Sequence, residues 1–311
     1  LAAVTGAPAL AQDRPLTQVA SQDPNAPPPA SPGDEVALEA DASRRMTTPV
    51  FLNDVGPIPF VVDTGANRTV LSETLAAELA LPEGPELRVH GIAGPYQARS
   101  ARLDRLRAGA TVVSDMVTPL LPESGLGARG LLGIDVFRGK RVRFDFTANQ
   151  LTIGQSRRAA RGLGQSDRGT VRAAGGDIVV RARQRDGQLM IFDAETAGTR
   201  IVCFVDSGAA TSVGNSALMR ALAAVRSGLP YPPVDVLIRS ATGQSARGQV
   251  ARVPSMRIGG LNLTSFDLAF ADLHTFAQWG LSGRPALLFG MDVLRIFEAV
   301  TLDFGASELV F

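Results

Sequence analysis

Two stretches of this 311-residue chain nearly repeat one another, and nothing else in the sequence narrows its fold as much. Residues 60–72 read Phe-Val-Val-Asp-Thr-Gly-Ala-Asn-Arg-Thr-Val-Leu-Ser, and residues 203–213 read Cys-Phe-Val-Asp-Ser-Gly-Ala-Ala-Thr-Ser-Val. Each copy sets one carboxylate, Asp63 or Asp206, at the end of an apolar run, where a buried strand should stop and a tight turn begin. An ionised Asp in such a place is costly unless it is hydrogen-bonded or shares its charge problem with a partner, and two copies supply that partner. Thr64 and Ser207 bring hydroxyls that can lock the turn. Gly65 and Gly208 permit backbone angles closed to other residues and bring N–H groups close to the carboxylate. Ala66 and Ala209 are small enough to let a second loop approach. An Asp-Thr/Ser-Gly triplet arises by chance in roughly one chain of this length in ten, so two of them in matching contexts are a strong signal.

The repeat extends past the turns. Leu131-Leu132-Gly133-Ile134-Asp135-Val136 follows the first, and Leu288-Phe289-Gly290-Met291-Asp292-Val293 follows the second. Each runs into a closing strand, Arg143-Phe144-Asp145-Phe146 to Ile153 and Thr301-Leu302-Asp303-Phe304 to Phe311. With these landmarks the sequence resembles the retropepsin-like aspartic proteases over most of residues 35–311. The resemblance implies a mainly all-β fold, with two pseudo-twofold-related barrels, or lobes, and short helices. It implies that Asp63 and Asp206 form a catalytic pair, supported by Thr64, Gly65, Ala66, Ser207, Gly208 and Ala209. It also implies that two flaps cover the substrate, at Gly91-Ile92-Ala93-Gly94 and at Ala241-Thr242-Gly243. The expected partner is a peptide or protein lying extended in the cleft with apolar side chains in its central pockets. No cofactor or metal enters this chemistry, and with both carboxylates on one chain dimerisation is not required. Paired acids share a proton, so an acid-shifted activity profile is expected.

Taken in order, residues 1–11 resemble the tail of a secretory signal peptide, with Ala9-Leu10-Ala11 in the small-x-small form of a cleavage site. That places the mature protein in the periplasm or outside the cell. Residues 12–34 form a Pro-rich linker, 35–154 the first lobe, 155–176 an Arg/Gly-rich interlobe linker, and 177–311 the second lobe. Glu35–Glu39 is expected to open the first lobe as a strand, Ser72 to cap a helix over 73–79, and a second capped helix to span about 216–225. Residues 273–284, with His274 and Trp279, have no counterpart in the first lobe; they either shape one end of the cleft or form a surface loop.

Several competing functions find little support. A net charge of +1 gives no sign of a nucleic-acid partner, and no apolar run reaches the length of a membrane span. Gly125-Leu126-Gly127-Ala128-Arg129-Gly130 fits a dinucleotide fingerprint, but that pattern must open a helix and here a strand follows, so a glycine-rich loop is expected. Cys203 is the lone cysteine, placed as a small buried hydrophobe. His90 has no metal-binding companions in sequence and is expected at the surface. No G-x-S-x-G elbow is present for a serine hydrolase. The alternative that remains is a peptide-binding module that keeps the cleft without hydrolysis.

Overall fold

The apolar runs on either side of each Asp turn become strands that close on themselves, once in each half of the chain. In the computed structural model, residues 3–4, 34–41, 45–156, 170–172, 177–225 and 229–311 are described. Residues 12–33 of the Pro-rich linker, most of the Arg/Gly-rich linker, and all of residues 1–11 except Ala3 and Val4 lie outside them, while Asp34, expected to end the linker, already belongs to a strand.

In the first lobe the ring runs Met46–Leu52, Val55–Val62, Gly130–Leu132, Val70–Ser72, Thr111–Leu121 and Ser100–Ala108, and returns to Met46–Leu52. In the second it runs Gln188–Thr196, Thr199–Val205, Ala286–Phe289, Val213–Gly214, Leu261–Phe270 and Ser245–Ile258, and closes back on Gln188–Thr196. The order of corresponding strands is the same, so the internal repeat of the sequence is a repeat of topology. Closure removes the unpaired edges that an open sheet of this size would present. Each ring holds two short parallel pairs, and the one that leads into the Asp turn sets Val61 and Val62 beside Leu131 and Leu132 in the first ring and Phe204 and Val205 beside Leu288 and Phe289 in the second. These residues are buried, which is why the sequence reads there as continuous apolar runs and not as an alternation.

Short helices fill the corners. Helix α1 (Glu73–Glu78) is capped by the Ser72 hydroxyl, which accepts the Leu75 N–H at 3.0 Å. Helix α2 (Glu123–Leu126) follows Thr111–Leu121, so Gly125 and Leu126 belong to a helical turn and not to the glycine-rich loop expected there. Helix α3 (Ser216–Ala223) is capped by Asn215. Helix α4 (His274–Gln278) stands between Leu261–Phe270 and Ala286–Phe289 as α2 stands between Thr111–Leu121 and Gly130–Leu132, so the segment expected to lack a counterpart is a longer form of the first lobe's connection. Helix α5 (Met291–Leu294) follows Ala286–Phe289. Among the described residues no helix is long and apolar enough to cross a membrane.

The lobes are joined by a sheet to which each gives three strands, in the order Asp34–Ala37, Gln150–Gln155, Lys140–Asp145, Ala299–Asp303, Glu308–Val310, Ile178–Arg185. Its centre is the antiparallel pair in which Arg143 faces Thr301. Glu35 to Ala37 therefore lie at the far side of this shared sheet and not in the first ring, because their pairing partner is Gln150–Thr152. Val142, Phe144, Val300 and Leu302 turn inward from this sheet and are buried in one apolar cluster that draws on both lobes. Because the central strands and the core are common property, the lobes should unfold as a unit. We expect a single calorimetric transition whose van't Hoff and calorimetric enthalpies agree; two resolved transitions would show that the lobes are independent.

Candidate active site

Each Asp turn is set in place by the parallel pair beneath it. The Asp63 N–H donates to the Leu132 carbonyl at 2.9 Å, and the Asp206 N–H donates to that of Phe289 at 2.9 Å. The chain then reverses. The Gly65 and Ala66 N–H groups both donate to Asp63 Oδ1 at 2.9 Å, and those of Gly208 and Ala209 donate to Asp206 Oδ1 at 2.9 and 3.1 Å. Both carboxyls are buried, at 2% and 4% exposure.

The two turns face one another. A Cβ on Gly65 would overlap the Asp206 carboxyl, and one on Gly208 would overlap that of Asp63, so glycine is the residue that lets each acid approach the opposite backbone. Burial, and after it the charge of Asp206 alongside, hold the Asp63 pKa well above the usual carboxylate range. The arrangement accommodates one negative charge with one proton.

Below the acids the hydroxyls cross between lobes. The Thr64 hydroxyl donates to the Val205 carbonyl at 3.2 Å and accepts the Ser207 N–H at 2.9 Å. The Ser207 hydroxyl donates to the Val62 carbonyl at 2.7 Å and accepts the Thr64 N–H at 3.1 Å. A hydroxyl that sequence reasoning assigns to locking its own turn thus locks the opposite strand to it.

A second matched pair of contacts escapes the sequence reading. Asp135 accepts the Thr69 N–H and its hydroxyl at 2.8–3.0 Å, while the same hydroxyl accepts the Gly133 N–H at 3.1 Å. In the other lobe Asp292 accepts the Ser212 N–H and hydroxyl at 2.6–3.0 Å, and that hydroxyl accepts the Gly290 N–H at 2.9 Å. These clamps fix the far end of each turn. Their signal is present in the repeat, as a hydroxyl six residues after each Asp and a carboxylate two after each of Gly133 and Gly290.

The flaps are held crosswise. Strands Leu87–Gly91 and Gly94–Ala98 carry the first tip toward the second lobe, where the Ile92 side chain is buried in a cluster with Ile238, Leu273, Phe276 and Trp279. The Ile92 carbonyl accepts the His274 N–H at 2.7 Å, at the start of α4. His90 is at the surface, but its Nδ1 lies 3.0 Å from His274 Nε2, with the two rings stacked 5.3 Å apart. The second tip rests on the first lobe, with Ala241 and Gly243 pressed against Gly125 of α2 so closely that a Cβ there would stand 2.6 Å from the Ala241 carbonyl oxygen. The tips also meet, since a Cβ on Gly91 would stand 2.9 Å from the Thr242 hydroxyl.

Under the flaps is a cleft of about 280 Å³ that reaches both acids. Gly91, Ile92, Ala241 and Thr242 line it; Ala93, Gly94 and Gly243 do not. Gly94 and Gly243 have positive φ, at 144° and 79°, and shape the turns instead. Thr275, Gln278 and Trp279 form one wall, so residues 273–284 shape the cleft and are no simple surface loop.

A family model described as aspartyl protease matches residues 48–136 and 192–293, more than half of the chain. Among solved structures, the chain is similar to a retropepsin-like aspartic protease from Rickettsia conorii, at 20% identity and a TM-score of 0.32, over 44% of this chain and 100% of that one. No curated protein matches it.

Two outcomes follow from this geometry. Thr64→Val keeps the shape of the side chain but leaves a buried N–H and a buried carbonyl unpaired, so urea denaturation should show a loss of about 1–3 kcal/mol, whereas Thr64→Ser should be near neutral. Equal stability of the Val and Ser variants would contradict the crossed contacts. The histidine contact needs at least one neutral ring. Partial desolvation, then the charges of His274 and Arg88, hold the His90 pKa below its usual value. Protonation therefore opposes closure, and the contact is present above the histidine range and lost as pH falls through it. Trp279, the lone tryptophan, packs with Ile92 and reports the event. Its emission should shift to the red between pH 7 and 5, and His274→Gln should remove that transition; an unchanged transition in the variant would contradict it.

Proposed function

Since the chain belongs to the aspartyl protease family and carries two retropepsin-like lobes, we propose that it is an endopeptidase in which Asp63 and Asp206 jointly activate one water. The observation that carries this is the meeting of two buried carboxyls, each bound by two backbone N–H groups and set against the glycine of the opposite turn. A pair in this setting holds one proton between its members; the handling of paired Asp carboxyls in aspartic proteases is a standard instance of this principle.

In the proposed reaction a water between the acids loses a proton to the ionised carboxylate as its oxygen attacks the scissile carbonyl carbon. The protonated carboxyl gives its proton to the carbonyl oxygen, producing a neutral tetrahedral diol. On collapse, the acid that took the water's proton gives it to the amide nitrogen, the C–N bond breaks, and the other acid takes a proton from a diol hydroxyl as the product carboxyl forms, which restores the shared proton. No covalent enzyme intermediate forms. The crossed hydroxyls of Thr64 and Ser207 hold both turns at one spacing throughout, while Ile92 and Thr242 close over the peptide.

The signal-like residues 1–11 support action in the periplasm or outside the cell, and the enclosed cleft suits processing of selected envelope or secreted proteins better than bulk digestion.

Asp63→Asn and Asp206→Asn should each lower peptide cleavage by about a thousandfold or more while the circular dichroism spectrum is kept. Substantial cleavage by either purified variant would refute the pairing. Activity should be bell-shaped in pH, falling in acid as the second proton binds and falling again as pH rises through the raised Asp63 pKa. The same shift bears on stability. A carboxyl whose pKa is raised by folding stabilises the fold below the ordinary carboxylate range and loses that contribution as pH rises through the raised value. Asp63→Asn should therefore melt above wild type near pH 7, by on the order of 2–4 °C, with the gain vanishing near pH 3.

A further inference from the structure

The chemistry of the cleft is built from two nearly equal halves, but its charge is not. Apart from Asp63 and Asp206, the ionisable residues that line it are Arg68, Arg88 and His90, and all three come from the first lobe. Apart from Asp206, everything the second lobe contributes, from Phe204 and Leu288 to Ser240, Thr242, Gln278 and Trp279, is uncharged. The repeat itself shows the departure, for the position that holds Arg68 after the first Asp-Thr-Gly holds Thr211 after the second.

Arg68 is placed by rigid surroundings. It follows Asp63 by five residues, its backbone packs against Gly133 so closely that no Cβ fits there, and the next residue, Thr69, is clamped by Asp135. Arg88 stands on the flap arm Leu87–Gly91, opposite Gln97, with its side chain exposed. Neither guanidinium has an ion pair with a carboxylate among the described residues. Arg68 also borders a second cavity that holds Asp115, Asp135 and Asp186, yet it pairs with none of them. Two exposed arginines with no carboxylate partner among the described residues, one beside the first Asp turn and one on the flap arm, cost little in water. Their field strengthens once the flap closes on a ligand and water is expelled.

We propose that the cleft selects peptides bearing a carboxylate on the first-lobe side of the scissile bond, which Arg68 and Arg88 grip together. The guanidinium fork suits two-point recognition of a carboxylate, and an exposed arginine on the flap makes closure itself dependent on the substrate's charge. Because the second lobe offers no such group, the carboxylate also decides in which direction the peptide lies across a site whose catalytic pair is almost symmetric. This specificity rests on the protease function proposed above, and it is tested in a way that separates the two.

The test uses a library of N-acetylated, C-amidated octapeptides with apolar residues at the two central positions and Glu, Gln or Lys at each flanking position in turn. A free-acid set of the Gln peptides distinguishes a terminal carboxylate from a side-chain one. Cleavage is measured with the wild-type chain, and binding with Asp63→Asn by fluorescence anisotropy. At one flanking position, or at the free C-terminus, the carboxylate should improve kcat/KM and Kd by about tenfold or more, and the gain should shrink with added salt. Arg88→Gln and Arg68→Gln, both exposed changes, should each bring the Glu-to-Gln ratio toward one, and Arg88→Glu should turn the preference toward Lys. Cleavage of the library with ratios of one at every position overturns the inference and leaves the protease function standing. A ratio that survives both Gln variants overturns it as well. Preferential binding of the carboxylate peptides without cleavage by the wild type upholds the inference and refutes the protease function. Absence of binding by any member overturns both.

Discussion

The structure depends on the burial of two carboxyls where there is room for only one negative charge. Two backbone N–H donors to each acid, at about 1.5–3 kcal/mol apiece for a charged acceptor, go far toward offsetting the removal of one carboxylate from water. They do not offset a second charge beside it, which adds about 4 kcal/mol of repulsion at 4 Å even with an effective dielectric constant of 20. Keeping a proton on the pair is the way out, and the raised pKa of Asp63 is its expression. Everything beneath the acids serves to keep them close in spite of this: the crossed Thr64 and Ser207 contacts, the paired clamps of Asp135 and Asp292, and the glycines that open each turn to the other.

That closeness also explains the division of the chain into two lobes that are not separable domains. Each Asp turn needs its own six-strand ring, because the parallel pair that leads into the turn is what aims it. Neither ring alone satisfies the buried N–H of Thr64 or of Ser207, since the acceptor in each case belongs to the opposite lobe. The shared sheet, centred on Arg143 and Thr301, then holds the two rings at a fixed orientation far from the cleft. A site assembled from two halves thus requires the halves to be bound together at two levels.

Much of this is legible in the sequence where the signal is local. The apolar run into each Asp, the Gly after it, and the Leu-Leu-Gly and Leu-Phe-Gly elements identify the rings and the turns, and Ser72 marks the start of α1. What is not legible is carried by contacts across long separations. Nothing local ties Ile92 to Trp279, or His90 to His274, because the flap finds its seat in the lobe it does not belong to. The same holds for Glu35 to Ala37, whose β character is plain but whose partner, Gln150–Thr152, could be found only through the pairing of the sheet. The clamps of Thr69 and Ser212 fall between: the residues repeat, but a hydroxyl and an acid more than sixty positions apart carry no mark of being neighbours.

The two halves differ most where symmetry has least to offer. Proton sharing is served by equivalence, since in the proposed reaction the acid that gives and the acid that takes exchange roles; the turns, grips and clamps match almost atom for atom. Recognition of a peptide, which has a direction, is served by difference. Each flap tip rests on the short helix of the opposite lobe, but one seats an apolar side chain beside a histidine pair at α4 while the other meets a glycine of α2, and of these two helices only α4 lines the cleft. Duplication of a half-site leaves the chemistry of the axis nearly unchanged, and the residues one shell outward, freed from having to match, are the ones able to read a substrate.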